Sequence, residues 1–182
     1  MPLLYDAARG DCNYKIAASI AEQPWNRMRD TMFHVALLEP EIPPNTGNII
    51  RLCVATGTEL HIVGRAGFPL GERTVRRAAV DYWDQLTLHR HATLEEFEAS
   101  RDESRIFCFT ARTDRRYTDV SYRPGDALLF GCESNGLPDS VLKRYGDRAL
   151  GIPMPTGIVR SLNLANAVGI VLYEAMRQVQ GW

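Results

Sequence analysis

The chain has 182 residues, of which 45% are hydrophobic and 24% charged, and this composition is typical of one globular domain rather than of a disordered or fibrous chain. Its 21 basic and 22 acidic residues nearly cancel, which excludes a uniformly basic coat for nucleic acid and leaves only local patches. The longest apolar stretches are too short for a membrane span, so no membrane partner is expected.

The four cysteines lie far apart, with no C-x-x-C pair and no histidines at zinc-ligand spacing. Three of them sit inside apolar runs, where a reduced thiol packs as a small hydrophobe. We therefore expect no metal site and a reducing, cytoplasmic location. His89 and His91 point to one side of a predicted strand, but with no third ligand they are interpreted as surface residues.

Residues 1–31 carry scattered charges and only a weak helical pattern, and they predict a poorly ordered extension before a domain at 32–182. Met32, at the edge of the first strand, is a candidate natural start. From Phe33 onward, short β-rich runs alternate with helical stretches, which predicts an α/β fold: a mostly parallel sheet with helices on both faces. The candidate strands are Phe33–Leu38, Glu59–Val63, Leu86–Arg90, Arg105–Thr110, Ala127–Gly131 and Ala149–Ile152.

Four helices are expected between and after these strands. Asn45 or Thr46 is the predicted cap of a helix ending near Gly57, and 93–96 is a capping box that opens a short acidic helix. Pro138 opens a third helix that runs to about 144.

The last helix, over 161–178 with Ser161 as its cap, is apolar around most of its circumference. It must be covered on more than one side, either within one core or by the sheet and a second copy of the chain. We favour a homodimer through this helix.

Three loops lie where open α/β sheets bind ligands. The first, at 39–51, places small polar residues and free backbone N–H groups at a helix start, which favours an anion, with Arg51 one turn further along. A capped helix with a surface arginine is the alternative. The second, at 128–138, has glycines at 131 and 136 that allow close approach of a planar ligand, but no G-x-G-x-x-G. A plain strand–loop–helix connection explains it equally.

The third loop, at 151–168, contains prolines that stop the preceding strand. Asn163 and Asn166 lie three residues apart near the start of the final helix. Two amides on an apolar helix need partners, which are either the backbone of a neighbouring loop or a ligand.

Taken in order, residues 43–51, 130–138, and 152–154 with 160–168 resemble the three motifs of the SPOUT RNA methyltransferases. The chain is most similar to the small members of that family that methylate the ribose 2′-hydroxyl of cytidine or uridine at the wobble position of tRNA. The resemblance covers about 32–178, and residues 1–31 fall outside it.

The resemblance implies a carboxyl-terminal trefoil knot, a rare exception to the rule that chains do not knot. It also implies that the knot binds S-adenosylmethionine (AdoMet) as methyl donor, and it assigns that contact to Phe109, Gly131, Ile152 and Ser161. The catalytic assignments carried over are Arg51, Asn45, Glu133, Arg160 and Tyr173. Because a guanidinium is a poor base near neutral pH, Arg51 is expected to stabilise a phosphate and the developing oxyanion.

RNA contacts are predicted at local arginine clusters. Arg73, Arg76 and Arg77 lie at helical spacing, whereas Arg112, Arg115 and Arg116 crowd the loop after the fourth strand. Three other interpretations stay open: the same chemistry on another RNA such as rRNA, a non-catalytic RNA-binding module of the same fold, and a generic nucleotide-binding α/β protein.

Overall fold

The computed structural model describes residues 33–70, 75 and 85–181, and the following account concerns those residues. The elements, in chain order, are β1 (His34–Leu38), α1 (Pro43–Thr56), β2 (Glu59–Val63), β3 (Leu88–His91), α2 (Leu94–Ala99), β4 (Ile106–Phe109), β5 (Ala127–Phe130), α3 (Asp139–Tyr145), β6 (Ala149–Leu150) and α4 (Leu164–Gln180). The expectations for residues 1–31, Met32, Arg73, Arg76 and Arg77 lie outside the described part.

All six strands belong to one sheet in the order β3–β2–β1–β5–β4–β6, and every pairing is parallel. Helices α1 and α4 cover one face with a core that includes Ile49, Val168 and Leu172. Helices α2 and α3 cover the other face through Phe97 and Tyr145. The predicted parallel α/β sheet with helices on both faces is confirmed.

Two predicted helix caps are wrong. Helix α1 begins two residues before Asn45, with prolines in its first turn and no side-chain cap, because the fixed φ of proline suits a helix start. Asn45 and Thr46 therefore lie inside the first turn and are buried. Helix α4 begins at Leu164 rather than near 161, and its cap is Asn163 instead of Ser161.

The capping box before α2 is confirmed, since the Thr93 hydroxyl accepts a hydrogen bond from the Glu96 N–H at 3.2 Å. The last strand is shorter than predicted and ends at Leu150. Gly151 then leaves the sheet and pairs with the loop after β4. No helix of the described residues is long and apolar enough to cross a membrane.

The sheet gives His89 and His91 polar neighbours that the sequence did not predict. Strands β1, β2 and β3 pair in a register that places His34, Glu59 and His61 beside them. The His61 ring stacks on that of His89, with centroids 4.5 Å apart. Sequence reasoning missed this group because its members belong to three strands that only the sheet brings together.

Candidate functional site

A cleft of about 570 Å³ lies beyond the carboxyl ends of the central strands. Its walls come from the three loops singled out in the sequence: Ile42 and Asn45 at the start of α1, residues 131–136 after β5, and residues 160–164 before α4. The predicted convergence of these loops is therefore present in the fold, since the carboxyl ends of parallel strands meet at one edge of a sheet.

The carboxylate of Glu133 joins the second loop to the first. It accepts hydrogen bonds from the backbone N–H of Glu41 at 2.8 Å, from that of Ile42 at 3.2 Å, and from the Asn45 side-chain amide at 3.0 Å. In the opposite direction, the Glu41 carboxylate accepts from the backbone N–H and the hydroxyl of Ser134, at 3.0 and 2.8 Å. Glu133 thus supplies the negative charge that the sequence predicted at this helix start, so the anion there belongs to the protein.

Asn163 joins the third loop to the same network. Its side-chain N–H donates to the Asn45 side-chain oxygen at 2.9 Å. Its own oxygen accepts from the Ala165 N–H at 2.9 Å and so caps α4. The partner that the sequence required for the Asn163 amide is therefore the side chain of Asn45 in the first turn of α1. Asn166 is exposed and does not line the cleft.

Gly131 lies where the loop after β5 approaches its own backbone most closely. A Cβ at this position would stand 2.1 Å from the carbonyl carbon of Gly136 and 2.3 Å from the nitrogen of Leu137. Gly136 itself adopts a φ of +68°. Only glycine fits at the first position, and the second position favours it, so the cleft floor is bare main chain.

A smaller apolar recess of about 80 Å³ adjoins the cleft and shares Thr110, Ser161, Leu162 and Ala167 with it. Ala111 also lines both, and Phe109, Ile152 and Met154 form the remaining walls of the recess. The Phe109 ring stacks on Phe130 of the cleft at 4.8 Å. All four residues predicted to contact a cofactor, Phe109, Gly131, Ile152 and Ser161, thus border the cleft or its recess.

The predicted catalytic residues divide into two groups. Asn45, Glu133 and Arg160 line the cleft. Arg51 on α1 and Tyr173 on α4 are exposed and do not line it. Asn45 and Glu133 hydrogen-bond the loops to one another, so both act as positioning residues in this structure.

The arginines after β4 are exposed, but two of the three have internal partners. Arg112, at the cleft rim, donates to the Asp139 carboxylate and the Leu137 carbonyl, and Arg115 donates to the Asp147 carbonyl. Arg116 is exposed, and its backbone N–H bonds the Asp119 carboxylate.

Sequence reasoning missed Glu41 and Ser134. An acid two residues before the proline pair was the only sequence signal for Glu41.

A scan against protein-family models matches the SpoU rRNA Methylase family over residues 32–173. The fold, the three-loop cleft and this match agree, and the chain belongs to the SpoU methylase family.

Two relatives that share one name are similar to this chain over most of their length. The chain is 45% identical over 150 residues to a tRNA (cytidine(34)-2'-O)-methyltransferase of Burkholderia ambifaria, covering 81% of this chain and 96% of the relative. It is 44% identical over 149 residues to the enzyme of the same name from Escherichia coli, covering 81% and 94%.

Solved structures of RNA methyltransferases also superpose on this chain. One that describes the 2-OH methylation of C/U34 on tRNA superposes with a TM-score of 0.79 at 44% identity, covering 84% of this chain and 99% of that one. The SpoU methyltransferase AviRb of Streptomyces viridochromogenes, in complex with AdoMet, superposes with a TM-score of 0.71 at 28% identity, covering 83% of this chain and 62% of that one.

Proposed function

We propose that this protein transfers a methyl group from AdoMet to the ribose 2′-hydroxyl of the wobble nucleotide of tRNA, a cytidine or a modified uridine. The observation that carries the proposal is the shared cleft of Gly131 and Ser161 with its apolar recess. The names of the relatives at 44–45% identity support the substrate and the position of the modification.

The residues present fit AdoMet. A flat adenine suits a recess walled by Phe109, Ile152 and Leu162, where packing and main-chain hydrogen bonds give the affinity. The missing Cβ at Gly131 makes room for the Gly136 backbone, and the main chain of this loop lines the cleft where the ligand would lie. When bound, AdoMet supplies a methyl group on a sulfonium that loses its charge as the methyl leaves.

The protein must then position a 2′-hydroxyl in line with that methyl and stabilise the negative charge that develops on its oxygen as the hydroxyl proton leaves to water or to a neighbouring phosphate. Positioning contributes up to about 7–11 kcal/mol in ideal cases. Arg160 lines the cleft, and its positive charge would stabilise the negative charge on the substrate. Arg51 is proposed to hold the adjacent phosphate and the developing oxyanion, because a guanidinium is a donor and a poor proton acceptor.

We further propose a trefoil knot at the carboxyl-terminal end. The hydrogen bonds of the neighbouring residues Leu150 and Gly151 support the knot. The chain before Gly151 pairs with β4, and the Thr110 N–H donates to the Leu150 carbonyl at 2.9 Å. Gly151 itself bonds the loop after β4, receiving from the Tyr117 N–H at 3.0 Å and donating to the Arg115 carbonyl at 2.8 Å. A segment held on both sides by one loop is what threading through that loop requires.

A homodimer through α4 is proposed on the exposure of its apolar side chains. Ile170 is 39% and Tyr173 47% exposed, although both lie on a helix whose opposite face is buried in the core. Arg51 does not line the cleft of its own chain. In a dimer it would contact RNA that is bound on the surface shared by the two copies. A cytoplasmic location is proposed from the free buried thiols of Cys53 and Cys108.

The test is methyl transfer from labelled AdoMet to native and transcribed tRNAs, followed by nucleoside mapping. We expect label on the ribose of nucleotide 34. Label on a base, or on rRNA with none on tRNA, would overturn the proposed reaction or its substrate.

A further inference from the structure

All four histidines of the chain lie on one face of β1, β2 and β3, the face that α2 covers. His34 and Glu59 are the first residues of β1 and β2, whereas the cleft lies beyond the carboxyl ends of the strands. This group of side chains therefore has no part in the reaction proposed above.

Three of these side chains bring one ligand atom each to a common point. His34 Nδ1 lies 3.2 Å from His61 Nε2 and 3.4 Å from Glu59 Oε2, and His61 Nε2 lies 3.8 Å from the same carboxylate oxygen. Zinc–nitrogen and zinc–oxygen bonds of about 2.0–2.2 Å in a tetrahedron separate neighbouring ligand atoms by about 3.3–3.6 Å. The three separations are therefore close to those around one bound ion.

The hydrogen bonds of His61 orient its ring for this role. The Arg101 Nη2 contacts both ring nitrogens of His61, at 2.9 Å from Nε2 and 3.4 Å from Nδ1. His61 Nδ1 lies 3.0 Å from His91 Nε2, and in the tautomer with its proton on Nδ1 it donates to that nitrogen and leaves Nε2 free for an ion. A ring whose second nitrogen donates to a fixed acceptor is the usual arrangement of a metal-binding histidine.

The group is partly open to solvent, although the His61 side chain keeps only 2% of its exposure. The Glu59 and His34 side chains keep 18% and 17% of their exposure, which gives an ion a way in from solvent. The Arg101 cation lies against this group, and its Nε is buried without a hydrogen-bond partner among the described residues.

We propose that His34 Nδ1, Glu59 Oε2 and His61 Nε2 form a binding site for a borderline divalent metal ion of the zinc class, with a fourth position open to water. The ion replaces the Arg101 guanidinium, which rotates away. The ion links the amino-terminal parts of two neighbouring strands, β1 and β2. It therefore affects the stability of the protein rather than methyl transfer. Imidazole and carboxylate ligands suit zinc, cobalt and nickel better than magnesium or calcium.

The test is a titration of tag-free, chelator-treated full-length protein with Co²⁺, followed by its displacement with Zn²⁺. We expect one ion per chain and the intense visible absorption of tetrahedral Co²⁺ without a thiolate charge-transfer band. Glu59→Gln and His34→Gln should each weaken binding at least about tenfold. Arg101→Met should strengthen it, because a competing cation is removed. Glu103→Gln, an exposed acid outside the group, is the matched control and should leave affinity unchanged.

Each possible result decides the matter. Because Arg101→Met acts in the opposite direction to the ligand variants, loss of folding in a ligand variant cannot imitate the whole pattern. Absence of saturable binding, a thiolate band, or equal affinity in the wild-type protein, Glu59→Gln and Arg101→Met would overturn the proposal.

Discussion

The side chains of Asn163 and Asn45 are hydrogen-bonded at 2.9 Å although 118 positions separate them in the sequence. Asn45 in turn donates to Glu133 at 3.0 Å. One amide of α1 thus links the loop after β5 to the loop before α4. Because each of the three side chains uses both ends of its polar group, a change in any one of them affects two loops at once.

Asn45→Asp is expected to loosen the cleft. The new carboxylate cannot donate to Glu133, so two negative groups face each other where a hydrogen bond to a charge stood. The loss should be about 1.5–3 kcal/mol of the free energy of unfolding, with weaker AdoMet binding. Chemical denaturation and calorimetric titration measure the two effects.

Asn48→Asp is the matched control, because Asn48 lies in the same helix but is exposed. It makes the same chemical change near the same helix start, where the dipole favours an acid. Equal destabilisation by the two variants would contradict a specific role for the amide of Asn45.

Gly131→Ala should abolish measurable AdoMet binding. A methyl at this position would overlap the backbone of Gly136, so the loop has to move, at a cost of about 1–3 kcal/mol. Gly169→Ala in α4 is the control, since its nearest neighbouring atom is 3.9 Å from the added Cβ. Retained cofactor affinity in Gly131→Ala would show that this loop does not form the cofactor site.

Arg51→Ala should lower methyl transfer at least about 100-fold while AdoMet affinity stays nearly the same, because the guanidinium is assigned to the substrate side. Arg51→Lys should recover only part of the rate, since a point charge cannot replace the planar fork. Single-turnover transfer and equilibrium cofactor binding measure the two quantities. A parallel loss of both would assign Arg51 a structural role.

Bound cofactor product should protect Cys132 from alkylation. Cys132 lines the cleft, whereas Cys53 and Cys108 are buried. Desolvation raises the pKa of the Cys53 thiol to about 12 and raises that of Cys108 as well, so neither forms a reactive thiolate at pH 8. Among these three thiols, mass spectrometry should find label first on Cys132, and S-adenosylhomocysteine should slow it. An unchanged rate at saturation would place the ligand elsewhere.

The sequence predicts most strands well because they are short apolar runs, and the observed β2 agrees with its predicted bounds at both ends. It predicts helix starts less well. Near Pro43 and Asn163 several residues have side chains that can cap, and tertiary contacts choose among them. Asn45 lies inside the helix, where its side-chain amide donates to Glu133, 88 positions later in the sequence.

The same limit applies to the site. The three loops can be chosen from their glycines, prolines and amides, because those residues have local conformational effects. Which carboxylate meets which N–H depends on the sheet order, so the reciprocal contacts of Glu41 and Glu133 could not be read from spacing. The histidine group is a similar case, since its members come from three strands.

The wall of the cleft formed by 160–164 has a consequence for synthesis of the protein. Asn163 completes the network, and it follows Asn45 by 118 positions, so the ribosome must synthesise that whole stretch before the three loops can join. A nascent or prematurely terminated chain would carry the sheet's central strands yet have no competent pocket. Such fragments would neither sequester the methyl donor nor compete with finished enzyme for RNA.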